Sequence, residues 1–443
     1  MSDGRPTILF FPEGAYGPTN NCVGIAQVLR QRGARVVFVL EESFAGSMQP
    51  RGFEERLMRL NPPPEQPEVP GQFWKDFIRE TAPEYRKSTY DQLETVIAPI
   101  WSELIGGAKY VDDRLREILD EVRPDVIVED NVVAFPALVA HGAPWVRIVS
   151  CNPLELKDPA VPPAFSGLPA ADRSEWQAFR ARYAELHAEM HRDFDTFVQE
   201  RGAPPLPEGE FIHESPYLNL YLYPPAADYE RSRPLAPTWH NLGSCVRRSD
   251  ETWQVPASLG ADGKLVYLSL GSLGSADVEL MQRFIDLLGD TEHRVIVSMG
   301  PQHADLRLAD NMWGAELVPQ PAILPHVDLV VTHAGNNTVT EAFHHGKPMI
   351  AHSLFWDQHD NAQRIDELGF GTRLAPYRFR DDDLLAAVER LLADEALHRR
   401  MRQISDDLQA NPGTHRAAEL LLRLADERGP IHRSDEHTEV SVR

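Results

Sequence analysis

Three cysteines in 443 residues, Cys22, Cys151 and Cys245, are odd in number and far apart, which excludes a disulfide framework. Positive charge is also scarce: 44 Lys+Arg stand against 67 Asp+Glu, a formal net charge of −23. So acidic a surface repels phosphate backbones and anionic lipid, which argues against nucleic-acid or membrane binding by bulk charge. No apolar run reaches the roughly 18 residues of a membrane span, and the short polar start Met1–Pro6 does not read as a signal peptide. What is present is a globular composition, 42% hydrophobic and 25% charged. The length exceeds one ordinary core and predicts two domains of roughly 150–250 residues. A cytoplasmic, two-domain protein is expected.

The hydrophobic pattern alternates between strands and helices. Thr7–Phe11 and Arg35–Leu40 read as buried strands, and Val23–Arg32 as a helix between them that stops at Gly33. Asp125–Val128 and Trp145–Val149 follow, continuous in apolar residues as parallel strands are, after a long helical stretch over Ser88–Val122. Pro62–Pro70 reads as a surface loop because its five prolines cannot feed a ladder. Asp172–Arg201 is helical, charged and aromatic, and reads as an insertion that shapes a pocket. A second alternating series begins after Asp250. Its strands are Leu265–Leu270, Arg294–Met299, Leu329–Thr332 and Pro348–His352, with helices near Val278–Leu288, Val339–His345, Asn361–Leu368, Asp382–Leu392 and His415–Leu424. The proline-rich stretch Pro224–Pro256 interrupts the pattern and holds the linker. The expected division is 1–235, a linker at 236–260, 261–427, and a polar tail at 428–443. Two doubly wound α/β halves place a ligand crevice outside the carboxyl ends of their strands, in the cleft between domains.

Val318–Arg364 carries the densest chemistry. The strand Leu329–Thr332 runs into His333-Ala334-Gly335-Asn336-Asn337-Thr338 and then into a helix. Gly335 permits close backbone approach, and the helix start offers free N–H groups and a positive dipole to an anion. Asn337 and Thr338 are good cap residues that also suit phosphate oxygens. Glu341 follows on the same helix face, either accepting two ribose hydroxyls or serving as a capping-box partner. Leu265–Ser275 likewise runs from a buried strand into Gly271-Ser272-Leu273-Gly274-Ser275, a loop suited to a diphosphate.

These stretches resemble the nucleotide-sugar signature of family 1 glycosyltransferases, in their bacterial macrolide and antibiotic-modifying branch. The resemblance implies the GT-B fold: two Rossmann-like domains facing a cleft, the acceptor held by the first and a UDP- or dTDP-sugar by the second. It implies no permanently bound cofactor and no metal. Val318-Pro319-Gln320 is similar to the segment that holds base and ribose. His333 matches the pyrophosphate-binding histidine, with Gly335, Asn337, Thr338 and Ser272 completing the phosphate cradle. Glu341 matches the ribose-binding glutamate, and Asp357-Gln358 the pair that reads the sugar hydroxyls. Two positions depart from the pattern. Leu317 stands where a tryptophan stacks on the base, with Trp313 nearby but better suited to core packing. Pro18 stands where the family's catalytic histidine is expected, and proline has no titratable group.

Inverting transfer needs a base for the acceptor hydroxyl and a clamp for the leaving diphosphate. Asp130 follows a strand where the family's aspartate lies and is the first choice for that base. Glu13, at the end of the first strand, is the second, and the His213 region is a further source of a base. His344, His345, His352 and His359 read as surface or core histidines, without the spacing of a zinc site. The function expected is transfer of a hexose, glucose from UDP-glucose foremost, to a hydroxyl of a hydrophobic natural product. Macrolide, ansamycin, polyketide or flavonoid-like acceptors suit the aromatic segments Phe73–Tyr90 and Trp176–Phe194, which as helices also suit plain packing. The alternatives are a catalytically silent GT-B partner protein, motivated by Pro18, and a sugar-nucleotide epimerase.

Overall fold

The computed structural model describes residues 5–62, 80–249 and 252–433. The proline-rich loop from residue 63 on, the segment 73–79 and the tail 434–443 lie outside the described residues. The first half builds β1 (Thr7–Pro12), α1 (Tyr16–Gln31), β2 (Arg35–Glu41), β3 (Glu54–Met58), α2 (Ala98–Val122), β4 (Val126–Asp130), β5 (Trp145–Val149), α3 (Trp176–Glu200), β6 (Leu218–Tyr221) and β7 (Trp239–Asn241). The second builds β8 (Leu265–Ser269), α4 (Val278–Gly289), β9 (Arg294–Ser298), β10 (Met312–Ala315), β11 (Leu329–Thr332), α5 (Asn336–His344), β12 (Met349–Ala351), α6 (Gln358–Glu367) and β13 (Gly371–Arg373), before α7 (Gly413–Glu427).

Both sheets are parallel and share one winding. The first runs β3-β2-β1-β4-β5-β6-β7 and the second β10-β9-β8-β11-β12-β13. Burial on both faces explains the continuous apolar runs. Ile8 and Phe10 face α1, while Leu9 and Phe11 face α2, as the two-residue repeat of a strand demands. The strands missing from the sequence reading are short or charged. β3 (EERLM) is a half-buried edge, and β10 (MWGA) is an edge of four residues. A period of two has too few residues there to register.

Two elements cross the expected division. β7 pairs in parallel with β6 in the first sheet, although 236–260 was expected to be linker. α7, expected with the second half, returns to the first: Ala417, Ala418, Leu421 and Leu424 are buried in one core with Ile8, Phe10, Cys22 and Ile25. Between α1 and α7 runs the segment Leu242–Arg247. A side chain at Gly24 would strike the Cys245 carbonyl, and one at Gly413 the Leu242 and Ser244 carbonyls, so the two glycines admit it. No described helix is long and apolar enough to cross a membrane.

Candidate active site

In each sheet the strand order reverses between its first strand and the fourth (β1 and β4; β8 and β11), the point where open α/β sheets bind ligands. The loops leaving these strands face one another across a cleft of about 640 Å³. Polar clasps hold the halves around it. Asn336 Nδ2 donates to the Ser150 and Leu222 carbonyls at 2.8 and 3.1 Å, and Asp360 accepts from the Phe165 and Gly167 amides at 2.6 and 2.8 Å.

β11 delivers His333 to the cleft wall. Its imidazole lies between Gly271 and Gly335, where a β-carbon at either position would strike the ring. Gly335 makes room for His333 and itself lines the cleft. Burial pushes this imidazole down to about 4, so the ring is neutral near pH 7. A diphosphate arriving beside it would shift the balance back toward the charged form. Gly335 itself is the N-cap of α5, with no side-chain cap bond. Asn337 and Thr338 are therefore first-turn residues rather than the caps expected, and both line the cleft.

Glu341 is buried, 2% exposed, one turn further on. Its carboxylate accepts from Arg247 Nη1 at 2.9 Å, Gln320 Nε2 at 2.6 Å and Asn337 Nδ2 at 3.2 Å. It forms no capping box, and it is Arg247 and Gln320, not Glu341, that line the cleft. Tyr267 completes the chain by donating to Gln320 Oε1 at 3.0 Å. The sequence reading missed Arg247 because the proline-rich connector that carries it has no periodic signal. Val318 lines the cleft, and beside it Leu317 is 69% exposed, an apolar side chain held in solvent where the family places a stacking ring. Trp313 instead packs against Trp253, with ring centroids 6.5 Å apart.

Asp357 lines the cleft and accepts from the Asn152 amide at 2.8 Å. Burial raises its carboxyl to about 7. Gln358 turns inward instead: its Oε1 accepts from the Leu354 and Phe355 amides at 3.0 and 3.4 Å and shapes the turn before Trp356. Ser272 lies in the helical turn Gly271–Gly274, and its side chain is outside the described residues.

The opposite wall reverses the order of the two carboxylate candidates. Asp130 is 3% exposed and sits behind the wall, accepting from Ser150 Oγ at 2.7 Å and facing Cys22 Sγ at 3.9 Å. Glu13 lines both the main cleft and a smaller hollow of about 130 Å³ that opens beside it toward Leu60, Leu104 and Val133. Burial first, then Glu155 and Asp357, pushes the Glu13 carboxyl up to about 7. Behind it Glu129 is raised to about 8, chiefly by burial, with Arg147 opposing. Pro18 lines the cleft in the first turn of α1, one turn before Cys22. His213 is buried elsewhere against the Pro204 carbonyl at 2.8 Å, so it supplies no base here. His333 is the one histidine among the described residues lining the cleft. His352 is a core residue packed on Phe284 and Phe379, and His359 bridges Ser353 and Gln92. Among the described residues no group of three or more His, Cys, Asp or Glu is placed to hold a metal ion. The aromatic insertion α3 contributes nothing to the cleft wall; it lines a separate hollow.

Residues 219–412 match the model of the family described as UDP-glucoronosyl and UDP-glucosyl transferase. The chain is 26% identical over 420 residues to oleandomycin glycosyltransferase of Streptomyces antibioticus, covering 94% of this chain and 90% of that protein. It is 25% identical to demethyllactenocin mycarosyltransferase of Streptomyces fradiae, covering 94% and 85%. The solved structure of the kitacinnamycin glycotransferase superposes with a TM-score of 0.70 at 21% identity, covering 95% of this chain and 99% of that one. The glycosyltransferase VinC, solved with dTDP, superposes with a TM-score of 0.63 at 19% identity, covering 96% and 100%. These likenesses show the fold, the paired Rossmann-like domains of the GT-B arrangement.

Proposed function

We propose that the chain, whose residues 219–412 match the UDP-glucoronosyl and UDP-glucosyl transferase model, is a sugar-nucleotide-dependent glycosyltransferase that transfers a hexose, glucose from UDP-glucose foremost, with inversion to a hydroxyl of a hydrophobic natural product. The relatives named for oleandomycin and demethyllactenocin support an antibiotic-type acceptor. The dTDP held by VinC keeps a dTDP-sugar as the alternative donor. The observation that carries the reading is the pairing across one cleft of Glu13, a carboxyl raised to about 7, with His333 at the start of α5. We assign the acceptor mainly to residues 1–235 and the donor to 261–427, with Arg247 of the connector serving the donor.

In this mechanism the donor diphosphate lies against the N-terminus of α5, taking hydrogen bonds from its first amides, Thr338 and His333. The base rests on Leu317 and the Val318 backbone. Arg247 and Gln320, braced by Glu341 behind them, meet the ribose hydroxyls, while Asp357 reads the sugar and Gln358 holds its turn. Glu13 removes the proton of the acceptor hydroxyl as its oxygen attacks the anomeric carbon. The bond from that carbon to the phosphate oxygen breaks on the opposite side, and the nucleoside diphosphate leaves with the electron pair. A carboxylate poised near 7 suits proton abstraction at neutral pH. Asp130, locked to Ser150, supports the wall without touching the acceptor.

The test is incubation with UDP-glucose or dTDP-glucose and a panel of macrolide, ansamycin and flavonoid aglycones. Nucleoside diphosphate release, product mass and the anomeric configuration of the product are read together. A β-glucoside from the α-configured donor is expected. One observation favours a second reading, a silent partner protein: Pro18 occupies the position of the usual histidine. Tight donor binding without turnover on any acceptor would decide for it.

A further inference from the structure

Between His333 and Gly335, the backbone of Ala334 has a φ of +65°, in the left-handed region where a β-carbon is unfavourable. This one residue sets the direction of the His333 side chain on one side and of Gly335, the N-cap of α5, on the other. Two side chains hold it there. Thr332 Oγ1 accepts from the Ala334 amide at 3.2 Å, and Asn361 Nδ2 donates to the Ala334 carbonyl at 3.0 Å. Asn361 lies on α6, one turn after Asp357. It is fully buried and lines no part of the cleft.

The orientation of Asn361 follows from its partners. A carbonyl can only accept, so Nδ2 faces Ala334 and Oδ1 faces the other way. The Nδ2 group also donates to Asp357 Oδ2 at 3.4 Å. Oδ1 accepts from Asn152 Nδ2, across the boundary between the halves, at 2.8 Å. Asn152 is oriented by the same logic. Its Oδ1 accepts at 2.9 Å from the Leu154 amide, which can only donate, so its Nδ2 is the end turned toward Asn361. Its own backbone amide meets Asp357 Oδ2 at 2.8 Å. A directed line of bonds therefore runs from the Leu154 amide of the first half to the Ala334 carbonyl of the second.

We propose that Asn361 is a positioning residue of the donor site: it holds the Ala334 turn so that His333 and the first amides of α5 face the diphosphate, and Asn152 of the first half fixes which way Asn361 faces. The inference rests on the donor reading above and extends it, because the phosphate grip then depends on a residue of the opposite half. Without the Asn361 donor, the Ala334 turn can relax toward negative φ, which swings His333 and Gly335 away from the cleft. The residues assigned to base and ribose, Leu317, Val318, Arg247 and Gln320, stand outside this line of bonds.

The test compares a nucleoside diphosphate with its own nucleoside, which keeps base and sugar and lacks the phosphates. UDP with uridine and dTDP with thymidine are titrated into the full chain, diphosphates by calorimetry and nucleosides by ligand-observed NMR. The pair whose diphosphate the native protein binds tighter is then read in the variants. Asn361→Ala should weaken the diphosphate about tenfold and the nucleoside by no more than about twofold. Asn152→Ser keeps an acceptor for the Leu154 amide but withdraws the donor from Asn361, and should weaken the diphosphate about three- to fivefold with the nucleoside again unchanged. Added to Asn361→Ala it should cost nothing further, because it acts through Asn361. Circular dichroism reports the fold, and Asn152→Ser decides alone where Asn361→Ala does not fold. A diphosphate preference kept in either folded variant, diphosphate and nucleoside weakened alike, or losses that add in the double variant each overturn the inference and leave the donor reading standing. A native protein that binds neither diphosphate tighter than its nucleoside overturns both together.

Discussion

The two places where the sheets reverse their strand order have one topology and opposite chemistry. At the first, the strand ends present Glu13 to the cleft with Glu129 and Asp130 buried behind, all with raised carboxyl pKa values. At the second, they present a neutral His333, two glycines and the free amides at the start of α5. The cations lining the cleft, Arg51 and Arg247, both come from outside these strand ends. An acidic wall suits taking a proton, and an amide-rich wall suits accepting a leaving diphosphate. The lesson is that the winding supplies the place, and the few residues after each strand supply the reaction.

The sharpest way to break this contrast is at Glu13. Glu13→Gln should lower kcat about 10²–10⁴-fold with donor affinity nearly unchanged. Asp130→Asn, behind the wall, should retain most of its turnover. Equal losses in the two variants would return Asp130 to the role of base. A base must be deprotonated to act, so with its carboxyl at about 7 the kcat/KM should fall as pH drops below that value and level off above it. Rate measurements across this range should show that limb in the native protein and lose it in Glu13→Gln.

On the opposite wall, His333→Ala should cost about 1.5–3 kcal/mol in kcat/KM, the worth of a hydrogen bond to a charged group. An unchanged kcat/KM would remove His333 from the diphosphate site. A smaller effect is expected at Arg247. Arg247→Gln releases Glu341 and should raise the donor KM about tenfold, with kcat little changed because ribose contacts are alike in ground and transition states. Arg247→Lys should recover part of that loss, since it restores the charge but not the planar fork. The smallest change is a gain. Leu317→Trp offers a stacking surface at an exposed position and should tighten UDP by about 0.5–1.5 kcal/mol, read by calorimetry.

Legibility followed the length of the signal. The set from Val318 to Gln358 stood out because it is co-linear, carried by β11, α5, β12, the start of α6 and the turns between them. The roles of individual residues were less legible. Gln358 serves the turn that carries Trp356, Gly335 makes room for His333, and Asp130 faces away from the cleft, because each is decided by which neighbour its side chain meets. Arg247 gave no signal, lying in a connector where nothing repeats.

By itself, the order of residues along the chain determined the two parallel sheets. Apolar runs of five or six residues, alternating with helices, have few ways to bury both faces of a strand. Local order also determined the open, amide-rich start of α5, since a strand, a glycine and a helix follow one another without a break. Only the tertiary structure decided that α7 closes the first core, that Glu13 rather than Asp130 meets the cleft, and that α3 walls a separate hollow. These depend on contacts between residues far apart in the chain, whose partners are chosen by shape and burial once the sheets have formed, and no local pattern records that choice.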